Sequence, residues 1–308
     1  MTTKRDRQAT QASSAKAQSA GGGSRRRSAV PYLFIAPFLV IFAAFGVYPM
    51  GFALQLSFTN WHGAGALKFT GLRNYRYLLT SPDFWGSLAN SGIVWLLVVP
   101  VQVIVALAVA VVLMNSRFKG AFSAALIAPF VTPLVAMAQV WIIMFDTDFG
   151  AVNHVLGAVG LPPVGWLTTV AWARPTVALL VLWRTTGYAV VLLMAGLQSI
   201  PPQVYEAAKL DGASAWRQFW SITLPLAMRT VSFVVVIGTL TVFQLFAEPY
   251  VLTRGAPFNS TRTAGLYLYN HITNSDLGLG AANSFLLVLM VFALSLASVR
   301  LLRPREGT

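Results

Sequence analysis

The stretch "VVPVQVIVALAVAVVLM", residues 98–114, holds seventeen residues without one charge and with a single strongly polar side chain, Gln102. It does not alternate apolar with polar residues, as the ~10-residue strands of a membrane β-barrel would. It belongs to an uncharged tract over 84–116, long enough to cross about 30 Å of hydrocarbon as a helix of ~20 residues. Similar tracts cover 28–67, 120–145 and 277–299. Only 10% of the 308 residues are charged and 56% are hydrophobic, against roughly 25% charged in a soluble domain. The reading is an all-α polytopic membrane protein with six spans, near 31–55, 87–114, 121–145, 175–198, 229–251 and 280–301. Residues 149–173 are uncharged too, but Asn153, His154, two prolines and four glycines read as an external loop with a short interfacial helix.

Charge gives the expected orientation. Seven of the 22 Lys and Arg fall in residues 1–27, a Ser/Gly/Ala/Gln-rich tail (1–28) read as disordered and cytoplasmic. With both termini inside, fifteen basic residues lie in inner segments and six in outer ones, Arg184 lying within a span; this satisfies the inner excess of Lys and Arg. The expected organisation is the tail, a six-helix transmembrane domain at 29–303, and a cytoplasmic end at 304–308. The net charge of +13 follows this pattern and suggests lipid contact, not nucleic acid. The chain contains no cysteine, which excludes disulfides, thiolate catalysis and Cys-ligated metals.

One segment does not fit a plain turn. "YEAAKLDGASAWRQFWSITLP", residues 205–225, lies in a cytoplasmic loop at 199–227 that is as long as a span. Ser199 is expected to cap a helix with Pro201 and Pro202 in its first turn. Gly212 should end it in a left-handed conformation, and Ser214 should cap a second helix that stops before Pro225. Ala207 and Ala208 leave one surface without bulk, where another backbone could approach. Trp216, Phe219 and Trp220 are expected to seat the second helix on the bundle. The alternative is an amphipathic helix on the bilayer, which ordinarily carries several Lys or Arg on its polar face; here Glu206 and Asp211 offset Lys209 and Arg217.

Glu206, Ala207, Ala208, Asp211, Gly212, Ala213, Phe219, Ile222, Leu224 and Pro225 together resemble the "EAA" loop of permeases in binding-protein-dependent ABC importers. Three further stretches resemble the carbohydrate branch of maltose and glycerol-phosphate permeases: "FTGLRNYRYLLTSPDFWGSLANS", "MAGLQSIPPQVYEAA" and "FQLFAEPYVLTRGAP". The likeness covers roughly residues 30–303. Leu252-Thr253-Arg254-Gly255-Ala256-Pro257 departs slightly from that branch's Leu-Thr-x-Gly-Gly-Pro. The resemblance implies an alternating-access permease subunit for a sugar or polyol, in the bacterial cytoplasmic membrane. It also implies three partners: a cytoplasmic ATPase dimer docked at Glu206–Ala213, a second permease subunit, and an extracytoplasmic solute-binding protein.

No ATP or metal chemistry is expected within the chain, so ATP and Mg would be bound by the partner ATPase. None of Lys4, Lys16, Lys68, Lys119 or Lys209 follows a glycine as a phosphate-binding loop requires, no His-Glu-x-x-His occurs, and His62, His154 and His271 are far apart. Polar groups inside spans face the bundle interior. By resemblance, Arg184, Thr185, Tyr188, Gly238, Thr241, Val242 and Leu245 occupy substrate-contact positions; polarity adds Gln244 and Glu248. Arg184 and Glu248 are either an ion pair, groups that reach the headgroups, or parts of a hydroxyl-binding site. Threonines in spans also bond back to their own helix. Rival cargoes are a sugar phosphate, a glycerophosphodiester or a polyamine. A membrane-embedded enzyme would need paired carboxylates, and a stand-alone channel would not need the loop.

Overall fold

A computed structural model describes residues 30–114 and 116–302, with side chains from residue 33 onward. The proposed tail at 1–28 and end at 304–308 lie outside the described residues. Contacts divide the chain into a unit up to Phe52 and a unit from Ala53 onward. In the first unit the described residues are helical from Val30, with one π-helical turn at Ala43–Val47, and its apolar side chains are exposed.

Among the described residues, five helices are long and apolar enough to cross a membrane: Leu33–Ser57, Pro82–Met114, Val170–Gln198, Ala215–Phe243 and Leu277–Leu302. They are spans 1, 2, 4, 5 and 6. Span 3 differs from the straight helix expected at 121–145. It is a bent pair, Lys119–Val131 and Leu134–Met144, meeting at 90° across Thr132-Pro133. Pro133 has no N–H to continue the first arm and disfavours helical geometry at Thr132, which is extended (ψ 138°).

Span 5 departs from expectation at both ends. It begins at Ala215, inside the loop, and ends at Phe243 rather than near 251. Pro225 does not stop the second loop helix, because a π-helical turn at Phe219–Thr223 precedes it, with Leu224 N–H donating to the Phe219 carbonyl five residues back. The other π turn, Ala43–Val47, also lies two residues before a proline, Pro49. In both places a local widening accommodates the missing donor without breaking the helix. At its far end span 5 breaks over 244–246 and resumes as the short helix Ala247–Thr253. The Thr263 hydroxyl donates to the Leu245 carbonyl, and Gly265 lets its own backbone come close to the Gln244 and Leu245 carbonyls. The hydroxyl thus satisfies one carbonyl of irregular backbone that hydrocarbon would penalise, and the glycine makes room for the approach.

The second unit packs around spans 2, 4 and 5. Ala106, Ala110, Ala189, Leu193, Ala227 and Val231 form one apolar cluster; Val94, Val98, Val177, Val181, Val242 and Leu245 form a second. Span 3 reaches span 4 at Gly187, where any Cβ would overlap the Leu126 carbonyl. The short helix Ala151–Ala158 appears where the uncharged loop was expected to hold one. Asn153 braces that loop: its amide donates to the carbonyls of Thr147 and Val164 and accepts from Val164 N and Trp166 Nε1.

Candidate functional site

Two sites emerge, joined by span 5. The first is the loop. Its first helix is Pro202–Leu210, preceded by Pro201. Ser199 does not cap it; the hydroxyl bonds back to the Gly196 carbonyl at 2.7 Å, because Ser199 is still the last turn of span 4. Gly212 turns the corner at φ +73° with open space around its α-carbon, so the demand for glycine there is purely conformational. Ser214 caps the second helix, its Oγ accepting from Arg217 N–H at 3.3 Å.

The loop is anchored from one side only. Tyr205 and Phe219 pack against the first apolar cluster, and the Tyr205 and Thr223 hydroxyls lie 3.1 Å apart. A cavity of about 590 Å³ runs beneath, lined among others by Gln198, Tyr205, Glu206, Lys209, Gln218 and Phe219. Glu206, Ala207, Asp211 and Gly212 are exposed, and Ala208 and Ala213 half-buried. Leu210 is 90% exposed and Trp216 72%. Trp216 and Trp220 therefore do not seat the helix on the bundle. They stack edge to face on each other at 5.6 Å and present an apolar surface beside the corner.

The second site lies some 35 Å further along span 5, at ~1.5 Å per residue from Ala215 to Gly238. A cavity of about 200 Å³ opens between spans 2, 4 and 5 and the first arm of span 3. Of the residues singled out from the sequence, Thr185, Tyr188, Gly238, Thr241 and Val242 line it. The other lining residues were not among them, and two of these are not aliphatic: Gln102 and Phe130. Phe130 stacks on Tyr188 at 4.8 Å between centroids. Gln102 Nε2 donates to Thr185 Oγ1 at 2.8 Å. Gly238 matters by what it omits, since a Cβ there would come within 3.1 Å of Val99 and 3.4 Å of Gln102 Oε1. These two had a signal in the sequence: Gln102 is the one strongly polar residue in the tract quoted first, and Phe130 directly precedes the Val131-Thr132-Pro133 break.

Arg184, Gln244, Leu245 and Glu248 are elsewhere. Arg184 Nη2 donates to Glu248 Oε1 at 2.7 Å, with the carboxylate 3% exposed. Of the open alternatives, the geometry is the ion pair. The Arg184 guanidinium lies 5.8 Å from the Phe130 ring, and its Nε is buried without a partner among the described residues. Leu245 belongs to the second apolar cluster, and Gln244 faces an apolar groove beside Phe243, Tyr269 and Val288. Threonines 185, 186, 239 and 241 all bond back to the carbonyl four residues earlier, so their hydroxyl hydrogens are spoken for. Among the described residues no group of three His, Asp or Glu side chains could hold a metal.

Residues 102–305 match the family model described as "Binding-protein-dependent transport system inner membrane component". The lactose transport system permease protein LacF of Rhizobium radiobacter is 36% identical over 283 residues, 89% of this chain and 94% of LacF. The trehalose/maltose transport system permease protein MalF of Thermococcus litoralis is 32% identical over 284 residues, 91% of this chain and 96% of MalF. A chain in the crystal structure of a bacterial alginate ABC transporter, in complex with an alginate pentasaccharide-bound periplasmic protein, superposes with a TM-score of 0.78 at 21% identity. That match covers 92% of this chain and 98% of the other, and the two share a fold.

Proposed function

Because the chain belongs to the family of binding-protein-dependent transport system inner membrane components, we propose that it is a permease subunit of an ATP-driven sugar importer. In this reading the loop at 199–227 faces the cytoplasm and docks on an ATPase through Glu206, Ala207, Ala208, Asp211, Gly212 and Ala213. A second permease completes the pathway, and a solute-binding protein delivers cargo on the opposite side. ATP binding and hydrolysis take place on the partner.

The observation that carries the reading is the continuity of Ala215–Phe243. The second loop helix and the cavity wall are one helix, so displacement of the corner at Gly212 moves Gly238, Thr241 and Val242 directly. A loop helix that ended before Pro225 would need a joint to do the same. The helix before the corner is fastened to the same lever by Tyr205 on Thr223 and by Tyr205 and Phe219 in one apolar cluster. Motion imposed on exposed Ala207 and Asp211 therefore reaches span 5 through packed side chains. Alternating access then follows: closure of the ATPase pair shifts the loop, span 5 and the cavity open outward, and hydrolysis restores the inward state.

The relatives named for lactose and for trehalose or maltose support a sugar as cargo, as does a cavity lined by amide, hydroxyl and aromatic groups. Uptake of labelled lactose, maltose and trehalose into proteoliposomes holding the assembled importer tests it. ATP-dependent, binding-protein-dependent accumulation of at least one sugar is expected; an assembled, ATP-hydrolysing complex that accumulates none contradicts the reading.

A further inference from the structure

The 200 Å³ cavity has a hydrogen-bonding bias that sugar import alone does not require. Thr185 Oγ1 donates its one hydrogen to the Val181 carbonyl at 2.8 Å. It can therefore meet Gln102 only as an acceptor, which fixes the Gln102 amide with its NH₂ toward Thr185. The Gln102 Oε1 is left to the cavity, and among the described residues nothing donates to it. Thr241 likewise spends its hydrogen on the Ile237 carbonyl at 2.9 Å. Three lining oxygens thus offer lone pairs and no hydrogen, while the donors that remain are the second Gln102 amide hydrogen and the Tyr188 hydroxyl.

The described lining residues carry no formal charge. Arg184, within 5.8 Å of the Phe130 ring, is held by Glu248 and does not line the cavity. A carboxylate, sulfonate or phosphate brings only acceptors and a charge into a space with two neutral donors and no counter-charge, which is costly. A sugar hydroxyl brings the hydrogen that the oxygens lack. At about 200 Å³ the space is smaller than the roughly 300 Å³ at which drug-sized pockets begin, and suits one ring at a time.

We propose that this cavity selects uncharged sugars through the hydrogens their hydroxyls donate, with Gln102 as the residue that reads them and anionic sugars refused. The inference rests on the sugar-import reading and goes beyond it, because a sugar importer can equally be built for acidic cargo. Gln102 is suited to the role: it is 5% exposed, pinned by Thr185, and held against Gly238, whose missing side chain leaves Oε1 uncovered.

The test uses the purified assembly of both permeases and the ATPase without its solute-binding protein, so that the binding protein's own preference does not enter. Saturation-transfer NMR measures contact with lactose, maltose and trehalose and with the dianionic disaccharide digalacturonate. At least one neutral sugar should bind and digalacturonate should not. Gln102→Leu should weaken the neutral sugar about tenfold, the worth of one net hydrogen bond in a closed site. Thr241→Val decides the matter if Gln102→Leu fails to assemble, since its hydroxyl bonds only its own helix and its loss leaves packing intact; weakening of several-fold is expected. Digalacturonate binding as well as the neutral sugars overturns the proposal, and so does unchanged neutral-sugar binding in both variants. Sugar uptake by proteoliposomes with no neutral-sugar contact in the assembly overturns it as well. Failure of all sugar uptake by an assembled, ATP-hydrolysing importer overturns the sugar reading and this inference together, whereas uptake of acidic sugars alone overturns only the inference.

Discussion

Arg184 on span 4 donates to Glu248, sixty-four residues later on the helix that follows the break in span 5, at 2.7 Å with the carboxylate 3% exposed. The pair ties the straight span to the far side of the broken one, above the aromatic stack of Phe130 on Tyr188. A buried pair of this kind is costly to break and inexpensive to replace whole. Glu248→Ala should therefore cost about 3–5 kcal/mol by stranding the guanidinium, seen as a lowered melting temperature of the purified assembly. The double variant Arg184→Met/Glu248→Leu should recover most of that loss, because the two residues act as one unit. If the single and double variants melt alike, the pair is not what joins the two spans.

Gly187 and Gly212 are both required, for opposite reasons, and side-chain substitutions separate them. At Gly187 a methyl group meets the Leu126 carbonyl, so Gly187→Ala should push span 3 off span 4 and prevent a stable chain from being purified. At Gly212 nothing lies within 4 Å but φ is +73°, so only backbone strain opposes a side chain, of order 1–3 kcal/mol. Gly212→Val should insert and fold while losing ATP-driven uptake, since the corner reopens toward ordinary dihedrals. Uptake at the wild-type rate by Gly212→Val would remove the corner from the coupling path.

His271, on the helix Ala264–Thr273, gives a pH dependence of definite sign. Burial holds its pKa below the ordinary 6.5; Asp276 acts to raise it and Arg262 to lower it further. The unfolded chain therefore takes up a proton more readily than the folded one. The stability His271 contributes is fully present above pH about 6.5 and is lost as pH falls through the lower folded value. Melting temperatures should decline between pH about 7.5 and 5, and His271→Gln should flatten that decline. An equal decline in the variant would assign it to other groups.

How far the sequence reveals this molecule depends on whether a feature is local. The spans are legible because twenty apolar residues have few other uses, and the Gly212 corner because glycine there accepts a left-handed turn at no cost. The bend of span 3 has a local signal in Pro133, which the long apolar tract hides. The break at 244–246 has none: Gln244-Leu245-Phe246 looks helical, and what permits the break is the Thr263 hydroxyl and the bare α-carbon of Gly265 about twenty residues later. Pro225 misleads for a related reason, since a π turn reconciles it with an unbroken helix. Arg184 and Glu248 are conspicuous as charges in an apolar chain, but whether they meet a solute or each other depends on how far span 5 continues.

Asn153 shows how much one side chain can hold outside the spans. It donates to two carbonyls of its loop at 2.9 Å and accepts from a backbone N–H and an indole. Asn153→Ala should leave these groups unpaired, at about 1–3 kcal/mol for each that stays buried. Limited proteolysis should then cut between Asp146 and Trp166, where the wild-type chain resists. Equal resistance would mean that the aromatic contacts of Trp166 with Phe145 and Trp172 suffice to close the loop.

The central claim is that the loop around Glu206–Asp211 receives the motion of an ATPase. The chain contains no cysteine, so Ala207→Cys places a single thiol on the exposed face of the first loop helix. The measurement is thiol-specific cross-linking of that variant in membranes of its own host, with the partner identified by mass spectrometry and Asp211→Arg introduced alongside. The account predicts an ATPase cross-linked through residue 207, with the cross-linked product lost in the Asp211→Arg variant. A thiol that reaches only lipid or solvent, in a chain that purifies alone, would contradict it.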